Sequence, residues 1–223
     1  MKKLQIAIDG PSAAGKSTIA ASLANYLKYT YIDTGAMYRA IAYYLIENNI
    51  ALEDESAIHA ALQHIDIRMQ PEHRTLLNGE DISEGIRQEA ISMGASTISK
   101  FPAVRSFLVL KQRELAAEGG VVLDGRDIGT VVLPQAHIKL FIDASNEARA
   151  KRRYIENIQR GLPCDLPTLT KEIIQRDKQD REREHAPLIK AADATLIDTT
   201  NMTLEQTVTY VQQFVQKYIE EGE

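Results

Sequence analysis

Gly10-Pro11-Ser12-Ala13-Ala14-Gly15-Lys16-Ser17 fits the phosphate-loop pattern G-x-x-x-x-G-K-[ST] without a mismatch. Glycines let successive backbone N–H groups turn toward one anion, and a helix starting at this point adds a favourable dipole. Lys16 supplies a point charge for the β- and γ-phosphates, and the Ser17 hydroxyl can ligate Mg²⁺. A strand-like apolar run at 4–8 precedes the loop. The stretch after it, 16–28, puts Ile19, Leu23 and Leu27 on one helical face. A chance match in an ordinary turn would lack those flanks. The loop, with Thr18 beside it, predicts binding of a nucleoside triphosphate but leaves the fate of its γ-phosphate open.

Acids and arginines supply the rest of the chemistry. Val121-Val122-Leu123-Asp124 is an apolar run ending in an acid, suited to carry a carboxylate to the metal side of a phosphate site. Ile142-Asp143 and Ile197-Asp198 look similar. Gly125-Arg126-Asp127 follows Asp124 at a strand end, where α/β proteins bind ligands, and this favours Asp124. The basic residues cluster: Arg149, Lys151, Arg152 and Arg153, with Arg160 nearby, and then Arg176, Arg181 and Arg183, interleaved with Asp177 and Asp180. On a helix 149, 152 and 153 share a face, as do 176, 180 and 183. A solvated face would explain 181–184, its ion pairs worth about a few tenths of a kcal/mol each. The whole set suits phosphoryl transfer, which needs several arginines on a closing lid. Residues 161–167 read as a loop joining two lid helices.

These residues need a frame to hold them. Short apolar runs at 4–8, 31–32, 121–123, 138–142 and 194–197 alternate with helical patterns, which predicts an α/β fold around a buried parallel sheet. Pro102 suits the first turn of a helix that stops at Gly119-Gly120. Thr203 and Gln206 have capping-box spacing, and Leu204, Val208, Val211 and Val215 form an apolar stripe after them. Residues 65–83 break the rhythm. Two short runs flank Pro71-Glu72-His73, and Asn78-Gly79 is a strong hairpin signal. A small antiparallel insert is expected there, either carrying specificity or serving as a plain surface hairpin.

Composition narrows the classes. The 223 residues suit one domain or one with small insertions, and 44% hydrophobic with 26% charged residues argues against disorder. No apolar run approaches the roughly 20 residues of a membrane helix, and the run after Met1-Lys2-Lys3 is too short for a signal-peptide core. The single cysteine, Cys164, excludes an intramolecular disulfide and a multi-cysteine zinc site, and a cytoplasmic location is expected. A net charge of -5 disfavours a DNA-coating surface. The five histidines lack metal-ligand spacing, and there is no N-K-x-D guanine motif of a GTPase-type switch.

From Gln5 to about residue 198 the chain resembles the bacterial cytidylate kinases, of the nucleoside monophosphate kinase family. The motifs are IDGPSAAGKST (8–18), DTGAMYR (33–39), the insert around 66–82, FPAVR (101–105), DGRDIGTVV (124–132), FIDAS (141–145), and RDKQDRE with APL (176–188). The resemblance implies a P-loop NTPase fold: a five-stranded parallel sheet flanked by helices. It implies a single kinase domain spanning 1–223, with a monophosphate-binding insert of about 58–98 and an Arg-rich lid of about 149–170. It implies transfer of the ATP γ-phosphate to CMP or dCMP, with Mg²⁺ accompanying the nucleotide. On the family pattern Gly10 to Thr18 bind ATP, and Arg152 and Arg153 close on its phosphates. Arg39, Arg126 and Arg183 hold the monophosphate. Thr34, Tyr38, Ser96, Arg105 and Asp127 shape the cytosine pocket, and Arg176 and Asp180 contact the sugar. Lys16, Arg126, Arg152 and Arg183 are the expected catalytic set. Thr34 stands where other members carry Ser, which keeps the hydroxyl. Small molecules are the only partners implied, and a monomer is expected.

The base choice also follows from chemistry. Cytosine offers an exocyclic amine that a carboxylate such as Asp127 can accept, and Arg105 can donate to the ring acceptors. Uracil has an oxygen at that position, which leaves the carboxylate unsatisfied. A kinase for uridylate, shikimate or a similar acceptor is the nearest rival. The 66–82 insert and the Arg105/Asp127 pair are the discriminating features.

Overall fold

The computed structural model describes residues 3–70 and 74–221. In chain order the first elements are β1 (Gln5–Asp9), α1 (Lys16–Leu27), β2 (Thr30–Asp33), α2 (Thr34–Glu47) and α3 (Glu55–Leu62). Next come β3 (Ile67–Gln70), β4 (Arg74–Leu77), β5 (Glu80–Asp81), α4 (Glu89–Ile98) and α5 (Pro102–Ala116). The chain then runs through β6 (Val121–Gly125), β7 (Ile138–Asp143), α6 (Asn146–Gln159), α7 (Leu166–Glu182), β8 (Thr195–Asp198) and α8 (Leu204–Glu221).

The apolar runs that end in acids become one five-stranded sheet of order β2-β6-β1-β7-β8. β1 pairs in parallel with β6 and β7, and β7 in parallel with β8. Parallel pairing brings the carboxyl ends to one edge. Asp9 lies opposite Gly125 and Asp143 opposite Asp198. The fold is therefore the α/β arrangement that the alternating pattern predicts, with the acids delivered to the edge where such sheets bind ligands.

Two compact units make up the chain, Met1–Tyr31 with Gly119–Glu223, and Ile32–Glu118. In the first, Ile6, Ile8, Val122, Leu140, Ile142 and Ile197 of the sheet pack with Ile19 and Leu23 of α1 and Val211 and Val215 of α8. Thr203 and Gln206 form the predicted capping box: the Thr203 amide donates to Gln206 Oε1 at 2.8 Å, and the Gln206 amide to Thr203 Oγ1 at 3.1 Å. Leu204 departs from its stripe. As the first residue of α8 it stays about half exposed, while Val211 and Val215 further along are fully buried.

The second unit holds the helices α2 to α5 and the three-stranded antiparallel sheet β3-β4-β5. Asn78 and Gly79 have φ of 51° and 89°, the two left-handed positions that a tight hairpin turn requires. The Asn78 side chain also accepts from the Asp66 amide at 2.8 Å and donates to the His64 carbonyl at 2.9 Å, which fixes the start of β3. Pro71, Glu72 and His73 of the expected insert lie outside the described residues, as do Met1 and Lys2.

α7 ends before Arg183, so the one-helix reading of 176, 180 and 183 fails at its last member. Arg183 is extended (φ −61°, ψ 140°), and the Leu188 amide takes the Asp180 carbonyl at 2.7 Å. That carbonyl would otherwise serve the next turn of helix, so the chain folds back over the end of α7. Thr203→Ala removes one side of the α8 capping box. It is expected to lower stability by about 1 kcal/mol, seen as a shift in the denaturant midpoint at unchanged slope.

Candidate active site

The phosphate loop leaves β1 at Asp9 and enters α1 at Lys16. A Cβ on Gly10 would stand 2.0 Å from the Ile142 carbonyl oxygen, so only glycine lets the loop pass this close to β7. α1 has no side-chain cap at its N-terminus, which leaves its first amides available to an anion. The Lys16 side chain is buried and its Nζ donates to the Pro11 carbonyl at 2.8 Å. Burial, reinforced by the charge of Arg126, lowers its pKa to about 7. A bound phosphate would restore the ammonium form by supplying the missing negative charge.

Ser17 and Asp124 come together as the motif reading requires. The Ser17 hydroxyl donates to Asp124 Oδ2 at 2.9 Å and the Tyr31 hydroxyl to Oδ1 at 2.8 Å. A hydroxyl beside a carboxylate is a hard oxygen donor set, the kind that fits Mg²⁺. Tyr31 was not foreseen, because an aromatic in a strand-like run reads as packing.

Past Asp124 the chain turns out of β6 and presents Arg126 and Asp127. Arg126 Nε donates to Asp180 Oδ2 at 2.8 Å, tying β6 to α7. Burial works to raise the Asp180 carboxyl, but Arg126, with Arg176 and Arg183 behind it, holds it below the ordinary carboxylate value. Arg183 lies 3.7 Å from the Asp127 carboxylate. Asp9 points into the same region. Its carboxylate accepts from the Ile128 amide at 2.8 Å and the Gly129 amide at 2.7 Å. Burial, set against those two bonds, raises its pKa from 3.8 to about 6. This raised value favours folding most below the ordinary carboxylate range, and the advantage is lost as pH rises through 6. Keeping Asp9 ionised at neutral pH costs about 3 kcal/mol of stability.

The basic cluster of α6 divides into three environments. Arg149 is almost wholly buried and pairs with both carboxylate oxygens of Asp177 on α7. It also donates to the Ser12 carbonyl at 2.9 Å and the Ala144 carbonyl at 3.0 Å. One guanidinium thus joins α6 and α7 to the phosphate loop. Arg152 reaches Thr199 Oγ1 at 3.0 Å, the Met202 carbonyl at 3.3 Å and the Ala14 carbonyl at 3.4 Å. Arg153 lies at the surface, 3.1 Å from Glu156. The shared face was legible in the spacing. The burial of Arg149 was not, since its partner is 28 residues away.

The remaining expected residues belong to the second unit. Thr34, Tyr38 and Arg39 lie on α2, Ser96 on α4 and Arg105 on α5. Arg39 pairs with Asp33 at 3.0 Å, and Asp33 also caps α2 through the Ala36 amide. Arg105 is buried, donates to the Ser99 carbonyl at 3.3 Å, and stacks its guanidinium 6.0 Å above the Tyr38 ring centroid. The Ser96 carbonyl accepts from the Ser99 hydroxyl at 2.8 Å.

The Arg149–Asp177 pair generates a test. Arg149→Leu or Asp177→Leu alone strands a buried charge and is expected to cost about 3–5 kcal/mol. The double variant is expected to recover a large part of that loss. Chemical denaturation of all four proteins measures the coupling directly.

The model of the cytidylate kinase family matches residues 6–217. A cytidylate kinase of Geobacillus sp. (strain WCH70) is 50% identical over 219 residues, covering 97% of this chain and 98% of that protein. One from Geobacillus thermodenitrificans is 49% identical over 221 residues, covering 98% and 99%. Among solved structures, an uncharacterised protein from Eubacterium ventriosum has a similar fold, with a TM-score of 0.51 at 14% identity over 98% of this chain and 99% of that one. With the phosphate loop, its buried lysine and the Ser17–Asp124 pair in place, the chain belongs to the cytidylate kinase family.

Proposed function

We propose that the protein transfers the γ-phosphate of ATP to CMP or dCMP, giving ADP with CDP or dCDP. The observation that carries this reading is the burial of Lys16 beside Arg126, at the end of a sheet edge lined with acids. A buried lysine whose charge is opposed by a guanidinium makes a site for a polyanion. The acceptor is already a phosphate oxygen, so the reaction needs alignment and charge cancellation rather than a strong base.

In this reading Lys16 and the backbone N–H groups of Gly10 to Ser17, Pro11 excepted, hold the β- and γ-phosphates, with Thr18 on the nucleotide side. Ser17 and Asp124 would hold Mg²⁺, which would supply charge neutralisation to the polyphosphate. Arg152 and Arg153 act on ATP, and Arg39, Arg126 and Arg183 on the monophosphate. Thr34, Tyr38, Ser96, Arg105 and Asp127 select the base, and Arg176 with Asp180 serve the sugar. We take the chain as one kinase domain, its monophosphate insert at about 58–98 and its lid at about 149–170. It acts as a cytoplasmic monomer on small molecules, without nucleic acid or membrane. Among the described residues no helix is long and apolar enough to cross a membrane.

Asp127 gives the sharpest test. A buried carboxylate accepting from the cytosine amine forms a charge-assisted bond, and facing uracil it loses about 1–3 kcal/mol. CMP is expected to exceed UMP by a factor on the order of 10–10³ in kcat/KM. Asp127→Ala is expected to collapse that ratio by lowering CMP turnover far more than UMP turnover. An equal fractional loss for both substrates would place base selection elsewhere.

A further inference from the structure

Asp9 is the last residue of the central strand, and neither the phosphate-loop pattern nor the monophosphate assignments use it. Its side chain is only 4% exposed, yet it extends across to the segment that follows β6. There its two oxygens divide their work: Oδ1 accepts from the Ile128 amide and Oδ2 from the Gly129 amide, at 2.8 and 2.7 Å. These are the two amides directly after Asp127. The contact is close on both sides, because a Cβ on Gly129 would meet Asp9 Oδ2 at 3.4 Å and Lys139 Cδ at 3.2 Å.

A helical turn at Ile128–Val132 could be capped by a neutral Asn or Ser nearby in sequence, at little cost. Instead the cap comes from more than a hundred residues away, as a buried carboxylate that the like charge of Asp127 opposes and the charge of Lys16 favours. A group kept against such opposition must do something that a neutral cap would not. The Asp9 bonds fix the peptide plane immediately after Asp127 and so limit where the Asp127 carboxylate can point. The same side chain is covalently next to Gly10, where the phosphate loop begins.

We infer that Asp9 is a positioning residue for base selection: it clamps the segment carrying Asp127 to the strand that carries the phosphate loop. The inference rests on the assignment of Asp127 to the base. Asp9 touches no substrate in this account. It works through the direction of Asp127, so its loss affects the monophosphate side selectively.

The test is steady-state kinetics of Asp9→Asn, which keeps the size of the side chain but sets an NH₂ against one of the two amides. KM for CMP is expected to rise and the CMP-to-UMP ratio of kcat/KM to fall, each on the order of tenfold, because a small misplacement near the reacting groups is costly. KM for ATP is expected to stay within about twofold, since the phosphate loop keeps its own bonds. Thr203→Ala, which lowers stability through its bond to Gln206 and not through Asp9 or Asp127, serves as the control and is expected to leave the ratio unchanged. If Asp9→Asn does not fold, Gly129→Ala disturbs the same clamp from the opposite side and is expected to lower the same ratio. A folded variant that keeps the wild-type ratio, or that loses CMP and UMP turnover equally, overturns the clamp. A wild-type enzyme with no preference for CMP instead overturns the Asp127 assignment, so the two failures are distinguishable.

Discussion

Lys16 is buried where the charge of the partly exposed Arg126 opposes its own, and the surrounding structure answers that constraint. Burial and the neighbouring guanidinium push the Lys16 ammonium down to about 7, while Asp124, Asp180 and Asp9 pull it back. None of these charges could remain buried alone. The acids arrive from the ends of β1 and β6 and from α7, so the balance exists only when sheet and helices are assembled. A polyanion entering such a place meets positive charge that is already oriented and needs little reorganisation.

The same principle of distant pairing joins α6 and α7. Arg149 joins α6, α7 and the phosphate loop through buried polar contacts, whereas Arg153 one turn along faces solvent. Charge pattern alone cannot tell these two apart. Both are basic residues on one helix, and only the position of Asp177 decides which becomes a structural joint. The α6–α7 pair is thus joined at Arg149, while Ile155 and Ile158 further along α6 remain exposed.

Local chemistry was readable directly from the residues. The phosphate loop, the strands ending in acids, the Asn78-Gly79 hairpin and the Thr203–Gln206 cap each depend on neighbours in sequence, and each forms as the spacing dictates. Ser17 with Asp124 was legible because both motifs have to meet at the strand ends. Tyr31, Asp9 and Asp177 were not, because their importance comes from partners many residues away. The extended turn at Arg183 was missed for a related reason: helical spacing continues through it, and only the Leu188 amide, returning to Asp180, ends the helix.

The protein transfers the γ-phosphate of ATP to a cytidine monophosphate. A coupled ADP-release assay over the common ribo- and deoxyribonucleoside monophosphates addresses it most directly. Rapid ADP release with CMP and dCMP, and much slower release with UMP and the purine monophosphates, is the predicted result. ADP release that is equal across the panel, or absent with CMP, would contradict the account.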